Sequence, residues 1–361
     1  MIRKILLVVV ILSVAVAAVY FWLTRPLPIL TVTTWPGAYG RAQAHAMTQP
    51  YGSAKHVDVR IAQWEGELKD VADAVARHNY KGDVIDFELP KAVEACRRGL
   101  LEKIDTTTLP PGRDGTPAAA DFVPGALGPC WVGSVVYSQA IIFAPSVAGE
   151  PKTLNDFFDS AKFPGARALN RSSAKFNLEM ALLADGVAPK DVYTVLSTPD
   201  GVARALHKLD SLKPNLVWWS AAGEPARLVK SGAATFATIL NGEGGIFDAR
   251  SNAPGIIWDR QLYELDVFGI PAGDPKKDMA LDFIRYATGS VPLAGVASWV
   301  PYGPARRSSR ALVGNNPDLH IAMTPWLPTT HFDSAFAVDD AWWLAHGAEI
   351  APRWQAWLDQ H

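Results

Sequence analysis

Two acidic residues, Glu264 and Asp266, lie two positions apart in a stretch rich in β-forming residues. Side chains at positions i and i+2 of a strand project from the same face, so both carboxylates can reach one ligand. Carboxylates accept charge-assisted hydrogen bonds from ammonium groups. The spacing therefore predicts a site for a positively charged amino group. The alternative is a solvated pair of charges on an edge strand.

Aromatic residues would supply the second component of such a site, and the candidates are Trp35, Tyr39, Tyr263 and Tyr302. Aromatic faces cover methylene groups and attract cations, each contact contributing roughly 0.5–2 kcal/mol. Ordinary packing is the alternative for each ring. A further acid, Glu88, ends a predicted strand; it either faces the same site or serves as a carboxylate at the start of a helix, where the dipole favours it.

The sequence gives little support for an enzyme, a metal site or a nucleic-acid-binding protein. The eight histidines are scattered, and there is no H-E-x-x-H, G-x-S-x-G, P-loop or dinucleotide motif. The 34 basic and 36 acidic residues give a net charge of −2, which leaves no basic excess for a nucleic acid. The sequence therefore predicts no enzyme, metal site, cofactor or nucleic-acid partner. The 13 tryptophans instead suggest a surface or cleft that contacts a partner.

The N-terminus has the pattern of an export signal. Arg3 and Lys4 precede an apolar run from Ile5 to Leu23, and Ala15, Ala17 and Ala18 offer a cleavage site. We interpret residues 1–24 as a signal peptide, or as an uncleaved membrane anchor, since 19 apolar residues nearly span a bilayer. Either interpretation places the protein in the periplasm.

The chain has two cysteines, Cys96 and Cys130. An even number in an exported protein favours a disulfide, and the alternative is two buried thiols. Closing a loop of this length contributes roughly 4 kcal/mol by the chain-entropy model.

Strand and helix patterns alternate from Ile29 to Leu100, which predicts an α/β fold with a parallel sheet flanked by helices. Ligands on such sheets bind at the carboxyl ends of the strands. The residues that follow these predicted strands are Trp35, Tyr39, Trp64 and Glu88.

Two long β-rich runs, Val132 to Ala144 and Gly255 to Ile270, flank a second α/β series. We expect the chain to leave lobe one along the first run, build lobe two, and return along the second. Lobe one would comprise residues 25–138 and 260–361, including a C-terminal helical tail, and lobe two residues 139–259.

The chain resembles the extracellular solute-binding proteins of ABC importers, specifically the spermidine/putrescine-binding group. The likeness runs from about residue 29 to the end of the chain. It rests on the order of segments including Trp35-Pro36-Gly37, Asp83 to Glu88, Cys130-Trp131-Val132-Gly133-Ser134, Asn241-Gly242-Glu243, Leu262 to Asp266 and Pro301-Tyr302-Gly303-Pro304.

The resemblance implies a type II periplasmic-binding-protein fold, with two lobes that are joined by crossing strands and close on a small organic amine. It implies an inner-membrane permease with its ATPase as partners, and we expect a monomer. Asp266 falls where this group places an amine-binding aspartate, and Tyr302 where it places a cleft tyrosine. Ser134 is a further candidate ligand contact. Glu264 falls where the group has a tryptophan, which is a departure.

A second departure concerns the turn from Asn170 to Lys175, where polyamine binders present acids and this chain presents donors and cations. A helix N-terminus with Arg171 and Lys175 favours an anion, so the ligand is either polyamine-like or carries an acidic end, as an amino acid derivative or aminophosphonate does. Alternatively, both cations face solvent. Ferric-ion binding is disfavoured because no two tyrosines are adjacent.

Two alternative functions, each from a different class of protein, remain open. One is an exported α/β hydrolase, for which the sequence offers no nucleophile. The other is a membrane-anchored interaction protein that docks a partner through its terminal tryptophans.

Overall fold

A computed structural model describes residues 26–63, 66–221, 223–242 and 254–360. The predicted signal or anchor, residues 1–24, and the candidate Trp64 lie outside these ranges. Within them, no helix is long and apolar enough to cross a membrane.

The strands that position the site form one mixed sheet. Their bounds are β1 Ile29–Thr34, β2 Asp58–Gln63, β3 Val84–Glu88, β4 Leu127–Gly128, β5 Trp131–Phe143, β6 Arg167–Asn170, β7 Leu216–Trp219, β8 Phe236–Leu240, β9 Gly255–Gly269, β10 Gly303–Pro304 and β11 Phe336–Ala337.

The α-helices cover the faces and ends of this sheet. Their bounds are α1 Ala38–Gln43, α2 Gln49–Lys55, α3 Leu68–Arg77, α4 Leu89–Arg97, α5 Ala118–Asp121, α6 Leu154–Phe158, α7 Asn177–Ala184, α8 Val192–Leu196, α9 Pro199–Asp210, α10 Glu224–Lys230, α11 Lys277–Ala287, α12 Ser290–Trp299 and α13 Asp340–Leu358. A π-helical segment, Ala44–Thr48, joins α1 to α2.

The main strands lie in the order β2-β1-β3-β9-β5-β8-β6-β7. At one end β1 pairs in parallel with β2 and β3, and at the other β6 pairs in parallel with β7 and β8. The long strands β5 and β9 lie antiparallel between these two groups. The predicted parallel α/β pattern is therefore confirmed, because β-branched runs such as Ile29–Thr34 fit strands buried by flanking helices.

Both long strands pass from one hydrophobic core to another. The first core, lined by side chains from residues 30–136 and 263–305, receives the N-terminal part of β5 and the C-terminal part of β9. The second core, lined by residues 141–262 and 336–358, receives their other ends, and a smaller cluster lies nearby. The predicted crossings lie near these changes, and the exact domain boundaries stay a prediction.

The chain crosses a third time at β11, whose Phe336 and Ala337 pair in parallel with Leu262 and Tyr263 of β9. Helix α13 then packs its buried tryptophans into the second core. The boundaries predicted from the sequence assign this tail to lobe one. The tail packs in the second core because its indole groups find partners there: Trp357 Nε1 donates to Asp210 Oδ1 at 2.8 Å.

The predicted disulfide is confirmed. Cys96, near the end of α4, is bonded to Cys130, just before β5, with a Cα–Cα distance of 5.9 Å. The bond ties a surface helix of the first core to the start of a central crossing strand.

Candidate functional site

Four carboxylates occupy one face of the neighbouring strands β3 and β9. Glu88 is the register partner of Asp266. Asp86 lies two residues before Glu88, and Glu264 two residues before Asp266, so all four side chains share a face. We call Asp86, Glu88, Glu264 and Asp266 the acidic row. The sequence pair Glu264 and Asp266 is therefore half of a larger group.

Asp86 is fully buried and is the best connected member of the acidic row. Its Oδ2 accepts a hydrogen bond from Gln43 Nε2 at 2.6 Å and one from Thr34 Oγ1 at 3.2 Å. Burial raises the pKa of Asp86 to about 6, although these hydrogen bonds oppose the shift. The carboxyl group therefore changes protonation close to neutral pH.

Ser134 joins several predicted site residues. Its Oγ lies 3.2 Å from Asp86 Oδ1, 2.9 Å from the backbone oxygen of Asp266 and 3.3 Å from the hydroxyl of Tyr39. A serine hydroxyl has one hydrogen to donate. Ser134 Oγ can donate to Asp86 Oδ1 or to the backbone oxygen of Asp266, and donation to Asp86 opposes the rise in the pKa of that carboxyl group.

Two predicted aromatic residues stand over this network. The ring of Tyr39 meets that of Tyr302 edge to face, with centroids 5.2 Å apart. Tyr302 also lies against the turn that follows β8, since a Cβ added to Gly242 would lie 2.0 Å from its ring. Tyr39, Ser134, Asp266 and Tyr302 are thus brought together as predicted residues of one site.

Asp266 is the acid of the row with the least compensation. It is only 6% exposed, and its Oδ1 has no hydrogen-bond partner within the described chain. Burial raises its pKa well above the usual value, and Asp86, Glu88 and Glu264 raise it further. The pKa of Glu88 is also raised by burial. A cation placed here would favour the charged forms of these acids and oppose the rise in their pKa values.

Glu88 is the N-cap residue of α4. A carboxylate that stabilises the start of this helix was the alternative role predicted for it. Its side chain makes no capping hydrogen bond to the helix. The carboxylate therefore lies beside Asp266 and does not cap the helix.

Glu264 differs from Asp266, because both of its oxygens already have donors. Tyr137 donates its hydroxyl to Glu264 Oε2 at 3.0 Å, and Lys175 donates Nζ to Oε1. Lys175 Nζ also lies 2.8 Å from Asp340 Oδ1, in the first turn of α13. We call Lys175, Glu264 and Asp340 the Lys175 cluster.

The pKa values of Lys175 and Asp340 depend strongly on the charges of their neighbours in the Lys175 cluster. Burial by itself lowers the pKa of Lys175, but Glu264 and Asp340 raise it above its usual range. Burial, followed by the neighbouring Glu264, raises the pKa of Asp340 to about 8. The lysine is therefore a permanent cation held by two nearly buried acids.

The remaining candidates have contacts with residues outside the acidic row. Trp35 covers Gly66, where an added Cβ would lie 3.1 Å from its ring. Tyr263 projects from the opposite face of β9 and packs on Phe332 with centroids 4.7 Å apart. The guanidinium of Arg171 lies over Trp218, 5.9 Å from the ring centroid, rather than with Lys175.

Sequence reasoning missed four residues of this region: Gln43, Asp86, Tyr137 and Asp340. The signal for Asp86 was present, because Asp86 and Glu88 have the same two-residue spacing as Glu264 and Asp266. Among the residues that the structure describes, no three His, Cys, Asp or Glu side chains are grouped so that they could hold a metal ion.

This chain matches the family of bacterial extracellular solute-binding proteins over residues 46–325, and it belongs to that family. It is 33% identical, over 329 residues, to a gamma-aminobutyric acid (GABA)-binding protein of Pseudomonas aeruginosa, with 91% of this chain and 90% of the relative covered. Members of the family are periplasmic or extracellular, bind a small molecule and deliver it to an ABC permease.

Solved structures of the same class share the fold. The structure of a GABA receptor has a TM-score of 0.75 and 29% identity, covering 92% of this chain and 98% of that one. A substrate-binding protein of an ABC transporter from Bradyrhizobium japonicum also has a TM-score of 0.75, with 25% identity over 91% of this chain and 99% of that one. The two-lobe periplasmic-binding-protein fold is therefore confirmed.

The comparisons correct one prediction made from the sequence. The assignment to the spermidine/putrescine-binding group is not supported, because the relative that covers most of this chain is a GABA-binding protein. The structure also adds a contact that this prediction did not include. Glu264, which sequence reasoning gave to a ligand amine, already pairs with a lysine of the chain itself.

Proposed function

We propose that this protein captures a small amino compound with one ammonium group and an anionic end, and delivers it to an ABC permease in the inner membrane. The ligand would bind between the two lobes after export of the protein to the periplasm. The observation that carries the proposal is Asp266, a buried carboxylate with an unpartnered oxygen beside Glu88.

The ammonium group of the ligand would bind at Asp266 and Glu88. Burial raises the pKa of both carboxyl groups, and neighbouring acids raise that of Asp266 further, so a ligand cation that stabilises their charged forms would be favoured here. An ammonium group that donates to these oxygens would form charge-assisted hydrogen bonds in a site of low polarity. The rings of Tyr39 and Tyr302 would cover the methylene groups of the ligand.

The names of the relatives support the same chemistry. GABA carries one ammonium group and one carboxylate, and a GABA-binding protein and a GABA receptor are both similar to this chain over more than nine-tenths of its length. This supports the amino acid alternative raised by the turn at Asn170 to Lys175 over a polyamine.

A thermal-shift screen tests the proposal. The screen would compare GABA, shorter and longer ω-amino acids, α-amino acids, aminophosphonates and diamines. A ligand at 100 times its Kd stabilises the native state by about 2.7 kcal/mol, which gives a clear rise in the melting temperature. We expect a rise with at least one monoamino acid. If none of these compounds raises the melting temperature, and calorimetry detects no heat of binding, the proposal is wrong.

A further inference from the structure

The acidic face of β9 contains two adjacent sites with different occupancy. At Asp266, an oxygen lacks a hydrogen-bond partner, and within the described residues the side chain forms no ion pair. At Glu264, one residue pair further along the same face, Lys175 places an ammonium group between two carboxylates. The protein thus fills the second site with its own cation.

The ion pairs at the second site are sheltered from solvent. The side chains of Glu264 and Asp340 are each 4% exposed, and that of Lys175 is 20% exposed. Removing one partner from a buried charge pair is costly, because the other charge is left uncompensated. A ligand amine therefore cannot easily displace Lys175 from Glu264.

We propose that Lys175 determines the specificity of the site by excluding ligands with two ammonium groups. This inference rests on the proposed function and adds the residue that sets the class of ligand. A diamine bound through Asp266 would bring its second ammonium group towards Lys175, and the two like charges would repel each other.

Lys175 also favours the opposite charge at that end of the ligand. A lysine ammonium group has three N–H donors, and Lys175 uses two of them on Glu264 and Asp340. In this proposal the third donor faces the ligand, since the lysine side chain is 20% exposed. A ligand carboxylate can accept it, so one residue both rejects the diamine and accepts the amino acid.

The test compares two ligands of nearly equal length, GABA and putrescine, which differ at one end only. Calorimetry at pH 8 measures both affinities for the wild type and for Lys175→Met, a substitution that keeps an unbranched side chain but removes the charge. We expect the wild type to bind GABA and to bind putrescine at least 100-fold more weakly. In Lys175→Met, GABA affinity should fall and putrescine affinity should rise, each at least tenfold.

A second variant keeps the test valid if Lys175→Met does not fold. In Lys175→Met with Asp340→Asn, one acid of the cluster is neutralised, so the single remaining charge at Glu264 is available to a second ammonium group. The same change in preference is expected. Lys152→Met is the matched control, since the Lys152 side chain is 77% exposed and pairs, among the described residues, with the exposed Glu150.

The outcomes separate the inference from the proposed function. If the wild type binds GABA and both variants keep its preference over putrescine, the inference is overturned and the proposed function stands. If the wild type binds neither compound, the inference is overturned, and the thermal-shift screen with the wider panel decides on the proposed function. A reversed preference in either variant supports both.

Discussion

Glu88 and Asp266 are direct partners across the antiparallel strands β3 and β9, so two carboxylates stand side by side on one face of the sheet. Side chains in this position have Cβ atoms about 4.5–5.5 Å apart, and like charges there destabilise the pair. A folded protein tolerates this arrangement when the acids hold a proton or a cation. The pairing therefore connects ligand binding, protonation and stability in one place.

Replacing Asp266 with Asn should weaken ligand binding without harming the fold. Truncating one side of a buried charge pair costs about 2–5 kcal/mol, which corresponds to an affinity roughly 30-fold lower or more. Unliganded stability should stay the same or rise, because burial penalises the charged form of Asp266. Calorimetry with GABA and thermal unfolding without ligand measure the two effects.

The control for this variant is Asp278→Asn, in the exposed first turn of α11. Asp274 is unsuitable as a control although the sequence places it in a polar loop: it is 2% exposed and accepts a hydrogen bond from the backbone N–H of Lys276 at 2.7 Å. Equal affinities for wild type and Asp266→Asn would show that the amine binds elsewhere.

The contribution of Asp86 to the stability of the unliganded protein should decrease as the pH rises from about 4 to 6. Its folded pKa of about 6 lies above the unfolded value, so within this window the native state holds a proton that the unfolded chain has released. A pKa of about 6 in place of the ordinary 3.8 corresponds to roughly 3 kcal/mol. Affinity for an ammonium group should change in the opposite direction, because the ionised acids bind it.

Urea unfolding of the unliganded protein between pH 4 and 8, compared with Asp86→Asn, measures this contribution. The variant lacks the titrating group, so the difference in stability between it and the wild type should depend on pH. A constant difference across the range would mean that Asp86 does not titrate there. The pKa of Asp266 is also raised. The affinity for the ligand should therefore continue to rise with pH above the range in which Asp86 titrates.

Loss of the Cys96–Cys130 bond should lower the free energy of unfolding by roughly 4 kcal/mol, since the bond closes a loop in the unfolded chain. Urea unfolding of the oxidised protein, the reduced protein and a Cys96→Ala/Cys130→Ala variant measures the effect. Reductant should destabilise the wild type and leave the double variant unchanged. Titration of two free thiols in the native oxidised protein would contradict the disulfide.

Gly242→Ala should weaken ligand binding by moving Tyr302. The added Cβ would lie 2.0 Å from Tyr302 Cε1, so the ring must leave its position against Tyr39. We expect a loss of affinity of about tenfold, equivalent to 1.4 kcal/mol. Gly314→Ala is the control, since its nearest contact would be an ordinary 3.7 Å. Unchanged GABA affinity in Gly242→Ala would place Tyr302 outside the site.

Local patterns were sufficient to predict most elements of the fold. The long strands β5 and β9 agree to within one residue with the β-rich runs Val132 to Ala144 and Gly255 to Ile270. Helix α12 was missed because it contains Pro292 and Gly295, which favour turns in a sequence pattern. The third crossing was missed because β11 has only two residues.

The candidate site was predictable only in part, because its charges are compensated over long distances in the chain. The two-residue spacing correctly groups Glu264 with Asp266 on one face. It cannot show that Lys175, 89 positions away, neutralises only the first of them. The position of Asp340 beside the same lysine depends on the third crossing, and no local sequence pattern predicts that crossing.

The third crossing leaves the two ends of the described chain in different cores, with Leu27 just before β1 and Leu344 on α13. Both side chains are exposed. The two native cysteines are bonded to each other, so cysteines introduced at these positions would be the only free thiols for fluorescent dyes. Hinge closure in binding proteins rotates one lobe against the other. Energy transfer between the dyes would therefore report ligand capture as an optical signal, without any label near the acidic row.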